Sequence, residues 1–386
     1  MRTALAGLAL LASTSAALSP IYDFFASQAR ATLLQLGGVT NAYPSKGQPG
    51  KYGWLTSTSK GWTSGFFPGH LLQLYNLTGD EAFLTAGRTL TYGLAEERFD
   101  TSTHDVGFIM YPSFGRLWAY TQDATARAYL LTTADSLSTR FSRVVGCTRS
   151  WNSPPPTFEV IADNLMNLEL LWWATAASGN ASYAAIAHSH AARMQRDLFQ
   201  PFNPGCAWHL ITYNQDTGAL LNRSSTPQGL GLDTVWARGQ AWALNGYTLA
   251  YRYTRTPAYL QQARDAAACF TRLLTACCGE ASGYHWAPLW DFNVTAPHIA
   301  VDTSAMMIAA EALVELSGFT AGSEAQGYYA MAKTLLEAAE QYYLFSAAEN
   351  DAVLRNGTVT YPLAGISITY GDYCAWSARC VCCSAQ

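Results

Sequence analysis

An all-α fold, a six-hairpin (α/α)6 toroid or barrel in a single domain, follows from three features of the chain. A helix–break–aromatic–helix phrase recurs along it. The helices that precede the break include segments apolar on nearly every side, which suits an inner ring. No Pro-, Gly- or Ser-rich linker divides the 386 residues, although length alone would allow about two or three domains.

The elements follow in order. Residues 1–17, MRTALAGLALLASTSAA, have one cation (Arg2), a short apolar run and small residues for cleavage. They read as a secretory signal peptide, leaving 18–386 as the barrel domain. The repeat then appears as YNLTGDEAFLTAG around Phe83, YTQDATARAYLLTT around Tyr129 and AASGNASYAAIA around Tyr183. It returns as YRYTRTPAYLQQA around Tyr259 and ELSGFTAGSEAQGYYAMA around Tyr328. Gly or a β-branched residue stops one helix, and Asp, Asn, Pro or Thr starts the next. Second helices such as EAFLTAGRTLTYGLAEERF are amphipathic and belong outside. First helices such as ADNLMNLELLWWATAA and VDTSAMMIAAEALVEL belong inside, and YGDYCAWSARC opens a sixth pair. Strand-like alternation is confined to short stretches such as ALLNRSS.

Composition narrows the function. With 23 Lys+Arg against 27 Asp+Glu the net charge is −4, which argues against a nucleic-acid partner. Charged residues are only 13% and apolar residues 49%, enough for a large core. No stretch offers the roughly 18 unbroken apolar residues of a membrane span, so no membrane partner is expected. Sequons at Asn76, Asn180, Asn222, Asn293 and Asn356 agree with a secreted, extracellular protein carrying N-glycans. The nine cysteines then read as disulfide formers, with at least one left over by the odd count.

Polar clusters open the inner helices: GWTSGFF (61–67), HDVGF (104–108), IADNLMN (161–167), VWARGQAW (235–242), HIAVDTS (298–304) and YGDY (370–373). In a ring of hairpins these starts converge at one end. They would line a pocket with Trp62, His104, Asp105, Asp163, Asn164, Trp236, Arg238, Trp242, His298, Asp302 and Asp372. Aromatic walls with a few carboxylates suit a sugar ring. The alternative for each Asp or Asn is an ordinary helix cap, and for each Trp an ordinary core residue. His298 and Asp302 have i,i+4 spacing but make only two ligands, so no metal and no cofactor is expected.

At these clusters the sequence resembles the unsaturated glucuronyl hydrolases, glycoside hydrolase family 88. The phrases WTSGFFPGHLLQLYNLTGD, HDVGFIMYPSFG, ADNLMNLELLWWA, WARGQAWALNGYTLAYRYT, DTSAMMIAAEALVEL and YGDY carry the resemblance, in family order over most of the chain. It implies a six-hairpin α/α barrel that hydrates the C4=C5 vinyl ether of the unsaturated uronic acid left by polysaccharide lyases. Asp163 would protonate C4, with Asp105 beside it raising its pKa and stabilising the developing cation. His209 and Gln228 would contact the sugar, Arg238 the uronate carboxylate, and Trp62, Trp236 and Trp242 would form stacking walls. One departure stands out: TPQGLGLD carries Pro227 where the family commonly has His, which bears on the subsite beside this loop. Two other functions fit the same residues: a six-hairpin hydrolase using both Asp on a saturated sugar, and a secreted carbohydrate-binding protein without turnover.

Overall fold

The computed structural model describes residues 20–346 and 348–384, without the side chains of 381–384. The expected signal peptide therefore lies outside the described residues. Helix α1 (Pro20–Leu36) is followed by α2 (Phe66–Thr78), α3 (Glu81–Gly93), α4 (Val106–Met110), α5 (Arg116–Thr121) and α6 (Ala124–Ser138). The chain continues through α7 (Asn164–Ser178), α8 (Ala181–Asp197), α9 (Ala237–Thr254), α10 (Pro257–Cys278), α11 (Thr303–Ser317), α12 (Gly322–Ala338) and α13 (Thr369–Ser384).

The breaks behave as their residues dictate. Gly79 and Gly179 take left-handed φ of 69° and 77° and close α2 and α7. Asp80, Asp123 and Asn180 then cap α3, α6 and α8 through the amides of Ala82, Thr125 and Ser182. Pro257 begins α10 at a position where its missing N–H is harmless. Helices α9 and α11 are buried almost all round, as an inner ring requires.

The ring is closed. Helix α2 packs on α13, α13 on α11, α11 on α9, α9 on α7 and α7 on α4. The second inner helix is interrupted: Tyr111–Gly115 forms a π-helical turn between α4 and α5, where Pro112 lacks the donor a regular helix needs. The sixth pair differs from the expectation that YGDY opens a hairpin. Its inner helix is α13, and its outer partner is α1 from the start of the described chain, through Tyr22 and Phe25 against Trp376.

Small antiparallel sheets gather at the N-terminal ends of the inner helices. Strands β1 (Tyr43–Gly47) and β2 (Trp54–Ser57) pair, as do β3 (Phe141–Ser142) and β4 (Cys147–Thr148). Strand β5 (Thr157–Ile161) joins β6 (Leu210–Asn214) and β7 (Leu220–Ser224), and β5 leads directly into α7. Strands β8 (Gly357–Thr360) and β9 (Leu363–Ile366) form a last hairpin. The ALLNRSS stretch is β7; β5 and β6 were not anticipated. Disulfides join Cys206 to Cys269 and Cys277 to Cys278.

Candidate active site

Asp105 and Asp163 each occupy the N-cap position of an inner helix, α4 and α7, yet neither side chain makes a capping hydrogen bond. Asp302, at the same position of α11, does cap, through the amide of Ser304 at 3.1 Å. The cap explanation therefore holds for Asp302 and fails for the other two.

The Asp163 side chain is 13% exposed, and its buried Oδ1 has no hydrogen-bond partner. Burial, then the charge of Asp105, pushes its carboxyl up to about 7, with Arg238 opposing. His209 Nδ1 lies 3.6 Å from that Oδ1, and neither ring nitrogen of His209 is hydrogen-bonded within the site. Burial, then Arg238, drives His209 down to about 3, so it is a neutral imidazole. His104 Nε2 stands 3.2 Å from Asp105 Oδ1, and His104 Nδ1 stands 3.2 Å from the Ser150 carbonyl. Burial also lowers the pKa of His104. Gln228, half-buried, lies beside His209 and leaves its own Oε1 unpartnered. These orphaned atoms form a polar seat, because buried polar groups are ordinarily satisfied.

The walls are aromatic. Trp62 is partly exposed and packs 5.0 Å from Tyr370 and 5.7 Å from Phe108. Trp236, expected as a stacking wall, is only 3% exposed: it meets His209 edge-on at 4.4 Å and lies under the Arg238 guanidinium, so it backs the site instead of lining it. Trp151, half-buried in the loop between β4 and β5, faces His209 at 6.3 Å. Sequence reasoning missed Trp151; its one signal was an aromatic in SWNSPPP immediately before β5.

Three further expected substrate contacts require correction. Asn164 is 0% exposed. Its Oδ1 accepts from Ser150 Oγ and the Ile161 amide, and its Nδ2 donates to the Thr148 carbonyl at 3.2 Å. It braces the β4–β5 loop. Trp242 is 1% exposed, packs 5.2 Å from Phe108, and forms core rather than wall. Arg238 is buried, paired with Asp302, and donates to the Thr358 and Val359 carbonyls at 2.6 Å. Its charge is already matched, so it does not reach out to a uronate. Asp372 likewise turns inward and accepts from the Val353 and Leu354 amides at 2.9 Å. His298 sits exposed at the rim, 3.4 Å from the Tyr361 hydroxyl. Among the described residues, no three His, Cys, Asp or Glu side chains group as metal ligands.

Known proteins resemble this chain in sequence and fold. A family model described as Glycosyl Hydrolase Family 88 matches residues 39–337. An unsaturated glucuronyl hydrolase of Formosa agariphila is 35% identical over 326 residues, 82% of this chain and 78% of the relative. The crystal structure of an unsaturated glucuronyl hydrolase specific for heparin superposes with a TM-score of 0.86 at 28% identity, over 95% of this chain and 97% of that one. A UGL variant with dGlcA-Glc-Rha-Glc gives 0.84 at 26% identity, over 92% and 95%.

Proposed function

The chain belongs to Glycosyl Hydrolase Family 88, and on that premise we propose that it removes the 4,5-unsaturated uronic acid from the non-reducing end of lyase-generated oligosaccharides. It is a glycosidase of the unsaturated glucuronyl hydrolase type.

The observation that carries the reading is the pair of helix-start aspartates released from capping, one of them holding a proton near neutrality beside unpartnered polar atoms. Protonated Asp163 donates to C4 of the vinyl ether, and the C4=C5 π electrons take up that proton. Positive charge develops at C5 and the ring oxygen, opposite Asp105 and the now-ionised Asp163. Water adds to C5, returning its proton to Asp163, and the resulting hemiketal opens with loss of the aglycone. The glycosidic carbon is never attacked, so two carboxyl groups held in a neutral-imidazole setting suffice. Trp62 supplies an apolar face for the ring, and Gln228 and His209 supply polar contacts.

Secretion with N-glycosylation belongs to the same proposal. The 1–17 segment supports it, as does the exposure of Asn76, Asn180, Asn222 and Asn293 on the folded surface.

The test uses a lyase-made unsaturated disaccharide, followed by the ultraviolet absorbance of its conjugated double bond. The expected result is loss of absorbance with aglycone release, and a drop of at least about a hundredfold in Asp163→Asn. Release of a saturated sugar alone, binding without turnover, or near-normal activity in Asp163→Asn each overturns the reading.

A further inference from the structure

The amide of Phe108 is the third N–H of α4, the donor that an N-cap Asp accepts by default. Asp105 stands at that N-cap and does not take it. Instead Asn167, one turn into α7, accepts from Phe108 N–H through Oδ1 at 2.8 Å. The same amide donates through Nδ2 to the Asp163 carbonyl at 3.2 Å. Gly107 makes room for this contact, since a Cβ there would come within 2.3 Å of Asn167 Oδ1. Asp105 is left to Thr103 Oγ1, at 3.3 Å, and to His104.

We infer that Asn167 is a positioning residue that caps α4 from the neighbouring helix, so that Asp105 faces Asp163 instead of capping its own helix. This rests on the proposed acid role of Asp163. One buried amide thereby fixes the two catalytic helix starts against each other, and the glycine of HDVGF is explained by the space the amide needs.

The test compares Asn167→Leu, similar in size and unable to make either bond, with Asn167→Asp. In the Leu variant a crystal structure is expected to show the Asp105 carboxylate turned onto the Phe108 amide. Its kcat falls at least about tenfold with KM little changed, because the reacting groups lose their alignment. Its high-pH limb also moves to lower pH, since the charge of Asp105 no longer lifts Asp163. The other groups facing Asp163 are His209 just before β6, His104 beside Asp105, Arg238 on α9 and Tyr370 on α13. His209 is held neutral and Tyr370 is raised, while Arg238 stays charged, so none of these three mimics the shift. His104 has its pKa lowered by burial and is read from the same crystal structure.

A merely structural Asn167 would lower Tm and leave the limb and Asp105 in place; that result overturns the inference. Should the Leu variant not fold, Asn167→Asp decides. Protonated, it accepts from Phe108 and donates to the Asp163 carbonyl, so turnover returns toward the wild-type value as the pH falls. Equal impairment at every pH overturns the inference. The position of Asp105 is read without any sugar, which separates this test from the activity assay.

Discussion

Asp163 must hold a proton before it can give one to C4, and burial beside Asp105 lifts its carboxyl to about 7. The sign follows directly: turnover is full below that value and declines as pH rises through it, as the acid ionises. Replacing Asp105 by Asn removes the charge that disfavours ionised Asp163, so the limb moves to lower pH and the rate at neutral pH falls. Initial rates on the unsaturated disaccharide across the pH range check this; a limb that stays in place excludes Asp105 as the cause. At this scale Asp105, Asp163, His104, His209 and Gln228 were legible as residue types in recognisable phrases. Asn164 and Trp242 were not placed correctly, for a geometric reason. Successive helix positions turn by about 100°, so Asp163 can face the site while its neighbour Asn164 faces the β4–β5 loop. A phrase such as WARGQAW names its residues without saying which side of the wall each one lines. Asn167 escaped notice because its partners, Phe108 and Asp163, belong to two helix starts that only the closed ring brings together.

The hairpins were legible because each break is written locally, in TGD, TQD, SGN and TRT, and the caps of Asp80, Asp123 and Asn180 each act within their own turn. The strands were less so. TFEVI and LITYN are five residues each and pair across a separation that no local pattern encodes. The partner of α13 was likewise hidden, since α1 reaches it only by closing the ring. One element-scale contact supports a quantitative expectation. Asp302 caps α11 and neutralises Arg238, whose guanidinium in turn holds β8 through the Thr358 and Val359 carbonyls. Both side chains are almost fully buried, so Asp302→Ala strands a buried charge and costs roughly 3–5 kcal/mol. Denaturant melts are expected to show that loss. Converting Arg238 to Met together with Asp302 to Leu is expected to recover much of it, because no uncompensated charge remains. A double variant as unstable as Asp302→Ala would mean that the cap and the β8 contacts matter more than the charge.

Across the whole barrel, Phe66, Phe108 and Trp242 pack together and line a cavity, and Phe108 also meets Trp62 of the candidate site. That cavity is lined by Arg116, Glu169, Arg252 and Glu311. Arg252 pairs with Glu169 and Glu315, and Arg116 donates to the Tyr373 hydroxyl at 2.9 Å. Among the described residues, Glu311 has no such ion pair. Burial raises its carboxyl to about 7, with Arg116, the Cys374 thiol and Arg252 easing the shift and Glu315 adding to it. The folded protein therefore keeps a proton on Glu311 at pH values where the unfolded chain has released it. Raising the pH from the ordinary glutamate value through about 7 favours unfolding, and stability present in mild acid is lost. Glu311→Gln removes that dependence and is expected to gain on the order of 3 kcal/mol above the upper value and little in mild acid. Tm measured for both proteins at a mildly acidic and a mildly alkaline pH checks the sign: the gap must widen with pH. A gap that stays constant would show that Glu311 is ionised throughout. The aromatic packing adds a second requirement, because Phe108 and Trp242 line the cavity of Glu311 while Phe108 meets Trp62 of the site. The pH limb of turnover must stay where Asp105 and Asp163 set it while the stability profile flattens, and a joint movement of the two would mean that the ends of the barrel are electrostatically coupled through its core.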